Sequence, residues 1–202
     1  MELEGKRVAV LIEELFNEHE VLYPYYRLKE AGAEVRLVGT GRAEVYRGKS
    51  GLPLAEEASA RELGAEPLDA VVVPGGFAPD HLRRDPATVA LVRRVHQAGG
   101  LVATICHGGW LLCSADIAAG RLLTSFESIR DDLVHAGAGW LDEDVVVDGN
   151  LITSRRPEDL PAFMRAVIGW LRSGAARASR PRRRRARAPQ RKSSRVKRLS
   201  KG

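Results

Sequence analysis

Cys106 and His107 stand side by side where an apolar run ends in glycines, in the stretch LVATICHGG at 101–109. An ionised thiol is a strong nucleophile, and an imidazole is the side chain whose proton moves near neutral pH. A strand running into glycines can turn sharply and expose the turn residue, the geometry of a nucleophile elbow. The next stretch, GGWLLCSADIAAG (108–120), reads as a helix starting at the thiol. Its positive dipole end would lower the thiol pKa and favour the thiolate. A lone cysteine in such a place is equally a buried packing residue, and the local residues leave both readings open. Adjacent residues at a sharp turn generally point in different directions, so adjacency does not make His107 the base for Cys106. His107 can instead orient substrate, lend its backbone N–H to an oxyanion site with Gly75 or Gly76, or serve structure alone. Cys113, within the apolar WLLCSA, is expected to pack.

Carboxylates crowd a second place. Glu13, Glu14, Glu18 and Glu20 follow the apolar run RVAVLI at 7–12. Most read as solvated loop charges. Glu20 opens a helix whose Val21, Leu22 and Tyr25 look core-facing, so it can project toward the sheet. A carboxylate beside a thiol has a raised pKa and can share or shuttle a proton; the plainer alternative is a charge at a helix N-terminus. The five histidines (19, 81, 96, 107 and 135) show no metal-ligand spacing with the cysteines, so no metal site is expected.

These groups need elements to hold them. RVAVLI (7–12), EVRLVG (34–39), AVVVPGG (70–76) and LVATIC (101–106) are nearly continuous apolar runs, the pattern of strands buried on both faces. Helix patterns lie between them at 20–32 and 86–100, the second with Pro86 in its first turn and glycines at its end. Alternating strands and helices argue for a parallel sheet covered on both faces. VVVDGNLITS (145–154) breaks the alternation as a hairpin around Asp148-Gly149-Asn150, and LPAFMRAVIGWLR (160–172) closes the domain as an amphipathic helix. In such sheets ligands bind beyond the carboxyl ends of the strands. The three unusual strand ends, after 12, after 74 and after 105, can therefore converge in space.

The charge is divided. Of the 32 Lys and Arg, 13 lie in 173–202, where there is no acid; residues 1–172 hold 19 basic and 26 acidic residues and are net −7. The chain thus reads as an α/β domain over 1–172 and a basic tail over 173–202, expected to be disordered because it has almost no large aliphatic residues. The tail's charge density suits non-specific DNA or RNA binding through Arg177–Lys201. Without aromatics it offers no base stacking, and without an apolar face it does not suit a membrane. Two cysteines are too few for a disulfide framework, and neither a signal peptide nor a membrane-length apolar stretch is present. The expected location is cytoplasmic, with association to the nucleoid through the tail.

Taken together, the segments resemble the PfpI family, within the class I glutamine amidotransferase-like superfamily. The likeness runs from about Lys6 to Arg172 through ExxYPYxRLKExG (20–32), VPGGxxP (73–79), AxICHG (103–108), DDxxxAG (131–137), VVVDGN (145–150) and SRxPxDL (154–160). It implies a flavodoxin-like three-layer α/β sandwich with a mostly parallel sheet and a nucleophile elbow. It also implies a thiol nucleophile at Cys106, a Glu20 carboxyl hydrogen-bonded to it, and an oxyanion site from Gly76 and His107 backbone groups. Members are described as intracellular cysteine peptidases and as glyoxalases or deglycases, and commonly form dimers or larger assemblies. In some, the histidine is completed by a glutamate from a neighbouring subunit; here that position holds Asp80, one methylene shorter, as in relatives called deglycases. Gly109-Trp110 replaces the family's frequent Pro-Gln. The implied activity, which needs neither a metal nor an organic cofactor, is attack of Cys106 on a small dicarbonyl such as methylglyoxal, or on its early adduct with an amine. A cysteine peptidase and a thiol redox sensor or holdase are the alternatives.

Overall fold

A computed structural model of the chain describes residues 1–174. The elements run in the order β1 (Arg7–Leu11), α1 (Glu18–Glu30), β2 (Glu34–Gly39), β3 (Val45–Arg47), β4 (Pro53–Ala55), β5 (Ala58–Ser59), α2 (Ala60–Leu63), β6 (Ala70–Val73), α3 (Ala78–Leu82) and α4 (Pro86–Gln97). They continue with β7 (Leu101–Ile105), α5 (Trp110–Ser114), β8 (Leu122–Leu123), α6 (Arg130–His135), β9 (Gly139–Trp140), β10 (Val145–Asp148), β11 (Leu151–Ser154) and α7 (Leu160–Arg172).

The main sheet has the strand order β10-β11-β7-β6-β1-β2-β5. All its neighbours pair in parallel except β10 with β11. Every residue of β6 and β7 is buried, which is why AVVV and LVATI carry no polar alternation. One layer is formed by α1, lying on β1 and β2, and α7, lying on β10 and β11, with the two helices in contact; α2, α4 and α5 form the other, with α4 on β6 and β7. The fold is thus an α/β three-layer sandwich of flavodoxin-like order.

Three local causes hold this frame. Helix α7 buries Leu160, Phe163, Met164, Val167, Ile168 and Leu171, a 3–1–3–1–3 spacing that makes one continuous stripe. Each such side chain stabilises the fold by about 1.5–3 kcal/mol when fully removed from water. The β10–β11 hairpin turns at Gly149, with φ +62°, a conformation that an L residue adopts only with strain. Its other loop residue, Asn150, is buried and donates from Nδ2 to the carbonyls of His96 and Gly100, at 3.0 and 2.8 Å, tying the hairpin to the α4–β7 connection.

The strands of 34–39 and 145–154 and the helix of 160–172 match the sequence reading. The apolar runs at 7–12, 70–76 and 101–106 leave the sheet one to three residues early, because their last residues build the site. The helix expected over 108–120 is much shorter. Residues Cys106–Gly109 form a 3-10 turn, α5 ends at Ser114, and Asp116 and Gly120 take φ of +57° and +73°. The tail residues from 175 on, including Arg177–Lys201, lie outside the described residues. Among the described residues, no helix is long and apolar enough to cross a membrane.

Candidate active site

Register brings the three unusual strand ends to one edge of the sheet. Val10 of β1 pairs with Val72 of β6, and Val73 pairs with Thr104 of β7. Residues 12–20, 74–77 and 105–109 therefore leave the sheet side by side, at the point where the strand order reverses.

Cys106 follows β7 directly, with φ +59°, while Ile105 before it is still extended at φ −132°. This is the sharp, strained turn of an elbow. Gly108 permits it: a Cβ there would stand 2.3 Å from the Val73 carbonyl oxygen. Two backbone N–H groups, those of Gly76 and His107, act on the Cys106 sulfur and favour its ionised form.

Gly76 is held in place by the loop after β1. Buried Phe16 bridges Gly76 on one side and Gly48 on the other. The Phe77 N–H donates to the Leu15 carbonyl at 2.9 Å, and the Asn17 N–H donates to that of Gly75 at 3.3 Å. Gly76 has φ +77°, and a Cβ there would lie 2.4 Å from the Leu15 oxygen, so glycine is required twice over.

Glu20 enters from α1. Asn17 caps that helix, its Oδ1 accepting from the His19 and Glu20 N–H groups at 3.1 and 3.4 Å, and Glu20 falls on the inward stripe with Val21, Pro24, Tyr25 and Leu28. The side chain is fully buried. Its Oε2 accepts the Gly75 N–H at 2.6 Å, and its Oε1 has no hydrogen-bond partner. Desolvation raises the carboxyl pKa to about 7; the Gly75 N–H, the thiol and the Lys49 charge oppose that rise.

The thiol differs from the sequence expectation. Burial, and next the charge of ionised Glu20, push its pKa up to about 12, against the pull of the Gly76 and His107 N–H groups. A nine-residue composite of 3-10 turn and short helix contributes too small a dipole to reverse this. Protonation of Glu20 removes the opposing charge, so the two groups titrate as a pair that shares a proton.

His107 also differs. Despite their adjacency, the positive φ of Cys106 brings the ring to the thiol, with Nδ1 3.2 Å from Sγ. Its other nitrogen, Nε2, lies 3.0 Å from Ser128 Oγ. The ring stacks on Phe126 (centroids 5.2 Å apart, 26° between planes) and meets Trp110 edge-on at 5.3 Å. Partial burial, and then the Lys49 charge, lower its pKa, so it is neutral at neutral pH.

Other expected residues fall elsewhere. The Gly75 N–H is committed to Glu20, which leaves the Gly76 and His107 amides as the pair facing the sulfur. Asp80 is exposed on α3 and pairs with Arg84, just beyond the end of that helix, at 3.8 Å; among the described residues the imidazole partner is Ser128. Glu13 is not solvated. It is fully buried, its Oε1 accepting from Arg42 and from the Glu14 N–H, both at 3.0 Å, and its Oε2 accepting from the Thr40 hydroxyl. Glu18 accepts from Ser50 N–H and Oγ, both at 2.6 Å, and Cys113 is half-buried against the core. Lys49, Phe126 and Ser128 carried no sequence signal, since each comes from a loop far along the chain. Among the described residues no group of three or more His, Cys, Asp and Glu is suited to a metal ion.

The DJ-1/PfpI family model matches residues 6–169. The chain is 42% identical over 157 residues to "Deglycase PfpI" of Pyrococcus furiosus, covering 78% of this chain and 94% of that protein. It is 39% identical over 169 residues to "Protein/nucleic acid deglycase 2" of Escherichia coli, covering 83% and 98%. A "Putative cysteine protease YraA" of Bacillus subtilis is 35% identical over 168 residues, covering 83% and 99%. Among solved structures, a two-domain protein from Anabaena variabilis with DJ-1/ThiJ/PfpI-like and ferritin-like domains superposes with a TM-score of 0.80 at 45% identity. That match covers 82% of this chain and half of the larger protein.

Proposed function

The chain belongs to the DJ-1/PfpI family, and from that premise we propose that it is a cysteine-dependent, cofactor-independent deglycase or glyoxalase. Its substrates are small dicarbonyls such as methylglyoxal, or their early adducts on amines. The observation that carries this reading is the meeting of three groups at one point: a thiol on a strained elbow, two backbone N–H donors facing it, and a buried carboxyl that titrates near neutrality.

In the proposed reaction the thiol releases its proton to solvent, the Cys106 sulfur bonds to the aldehyde carbon, and the carbonyl pair of electrons moves to oxygen. That oxyanion lies where the Gly76 and His107 amides can donate to it. The former aldehyde C–H proton passes to ionised Glu20 and returns to the neighbouring carbon, leaving a thioester of the hydroxy acid. A proton returns from solvent to the oxygen on that neighbouring carbon as it becomes the product hydroxyl. Water then cleaves the thioester and restores the thiol. A carboxyl with a pKa of about 7 suits both halves of such a transfer at neutral pH. For an amine adduct the leaving group is the amine, which takes up the proton.

The test is turnover of methylglyoxal by wild type and by Cys106→Ser, run beside casein hydrolysis. Loss of dicarbonyl turnover in the variant, without casein cleavage by either, supports the reading; retained turnover removes Cys106 as nucleophile. Casein cleavage dependent on Cys106 would instead favour the peptidase reading, which the name of the B. subtilis relative supports. A peptidase-style acid behind His107 would have to come from Asp80 of another subunit in a homodimer or larger assembly.

The basic tail, by its charge, localises the domain on DNA or RNA in this reading, within the cytoplasm or at the nucleoid. A chain truncated after Gly174 should lose salt-sensitive DNA binding and keep its turnover. Equal binding by the truncated chain would remove the tail from the account.

A further inference from the structure

The imidazole of His107 lies between a thiol and a hydroxyl, and among the described residues no carboxylate is hydrogen-bonded to it. Its Nδ1 is 3.2 Å from Cys106 Sγ and its Nε2 is 3.0 Å from Ser128 Oγ. Phe126 and Trp110 fix the ring plane, and Trp110 is itself held by its Nε1–H, which donates to Asp132 Oδ2 at 2.7 Å. The segment carrying Ser128 is anchored to the elbow, because the Phe126 N–H donates to the Cys106 carbonyl at 3.3 Å. Ser128 itself is exposed.

We propose that Ser128 is the positioning residue of His107 and that Cys106, His107 and Ser128 form a proton path from the buried thiol to solvent. A hydroxyl can both donate and accept, whereas a carboxylate can only accept. While the thiol keeps its proton, S–H donates to Nδ1 and the Nε2–H donates to Ser128 Oγ. On ionisation the S–H bond breaks and its proton joins Nδ1. The Nε2 proton passes to Ser128 Oγ, and the hydroxyl's own proton leaves to water. The ring ends as the other tautomer, its Nδ1–H donating to the thiolate and its Nε2 accepting from Ser128. It stays neutral throughout, and one proton reaches solvent.

This divides the work at Cys106. Glu20 is sealed from solvent and takes and returns the substrate's proton, whereas the exposed hydroxyl serves exchange with water. A carboxylate in the place of Ser128 would lock Nε2–H and stabilise an imidazolium. The charge acting on the ring is that of Lys49, and Glu20 acts on the thiol beside it. Behind Trp110 stand Asp132 and Arg83, and Glu127 and Arg130 flank Ser128 in sequence.

The inference rests on the proposed thiol chemistry only in taking Cys106 as the reacting group, and its test does not need turnover. In a Cys113→Ser background, the pH dependence of Cys106 alkylation by iodoacetamide is measured for wild type, Ser128→Ala, Ser128→Thr and Ser128→Asp. The His107 titration is followed by nitrogen-15 NMR of histidine-labelled protein. Ser128→Ala should slow alkylation at neutral pH by about tenfold, and Ser128→Thr should restore it. Ser128→Asp should raise the His107 pKa by about one unit or more and move the alkylation profile to lower pH. An unmoved His107 titration in Ser128→Asp, or wild-type alkylation in Ser128→Ala, overturns the proposal. If these shifts occur in a protein that does not turn over methylglyoxal, the functional reading fails and the proton path stands. If methylglyoxal is turned over and the shifts are absent, the proton path fails and the functional reading stands.

Discussion

Cys106 and Glu20 close over the same point above Gly75: a Cβ built on that glycine would stand 2.9 Å from the thiol sulfur and 2.8 Å from Glu20 Oε2. Two acids with raised pKa values share one dry space, and each sets the charge state of the other. The chemistry of the site follows from this contact more than from either residue alone.

The first consequence concerns the thiol. After burial, the charge of Glu20 is the largest influence raising its pKa. Glu20→Gln removes that charge while keeping an acceptor for the Gly75 N–H. The midpoint of Cys106 alkylation should therefore fall by about one pH unit or more. Dicarbonyl turnover should fall as well, by roughly 10²-fold, because the proton carrier is gone. An alkylation midpoint that stays or rises would separate Glu20 from the thiol.

The same carboxyl links stability to pH. Its folded pKa of about 7 lies above the ordinary value of 4.5, so the folded state holds the proton more tightly than the unfolded chain. This stabilisation is fully present below pH 4.5 and is lost as pH rises through 7, a change of at most about 3 kcal/mol. Thermal melts of wild type against Glu20→Gln over pH 4.5–8 should show the variant gaining ground as pH rises. Parallel curves would mean that Glu20 titrates normally.

Gly75 has no room for a methyl group. Besides the two contacts above, its Cβ would lie 2.6 Å from the Cys106 Cβ. Gly75→Ala should cost about 1–3 kcal/mol of stability through overpacking and about 10²-fold in turnover by displacing the thiol. Chemical denaturation and steady-state kinetics read the two separately; wild-type turnover would mean the site is looser than described.

Glu13 makes a purely structural prediction. It is sealed beneath the 40–42 turn, where Thr40, Arg42 and the Glu14 N–H all donate to it. Glu13→Ala leaves those donors without their shared acceptor and should destabilise the fold by about 1–3 kcal/mol. Denaturant melts check this; an unchanged midpoint would return Glu13 to the solvated class.

Much of the frame was legible because it is written in local periodicity. AVVV and LVATI are apolar at every position since both faces are covered, and DGN marks the hairpin since its first loop residue needs a positive φ. The thiol, Glu20 and the glycine pair were legible as well, because an α/β sheet gathers its strand ends along one edge. Ser128 and Lys49 were not. Each reaches the site from a loop whose path depends on packing, and neither residue type at its position differs from an ordinary surface residue.

The sequence by itself determined the alternation of strands and helices, the edge of the sheet where the chemistry lies, and the identity of the nucleophile candidate. Only the tertiary structure decided the charge states there. It raised the thiol pKa where a helix dipole was expected to lower it, buried Glu13, and turned His107 between Cys106 and Ser128. The reason is the range of the forces involved. Secondary structure follows from side chains a few residues apart. Desolvation and through-space fields depend on which distant segments close over a group, and no spacing along the chain encodes that distance.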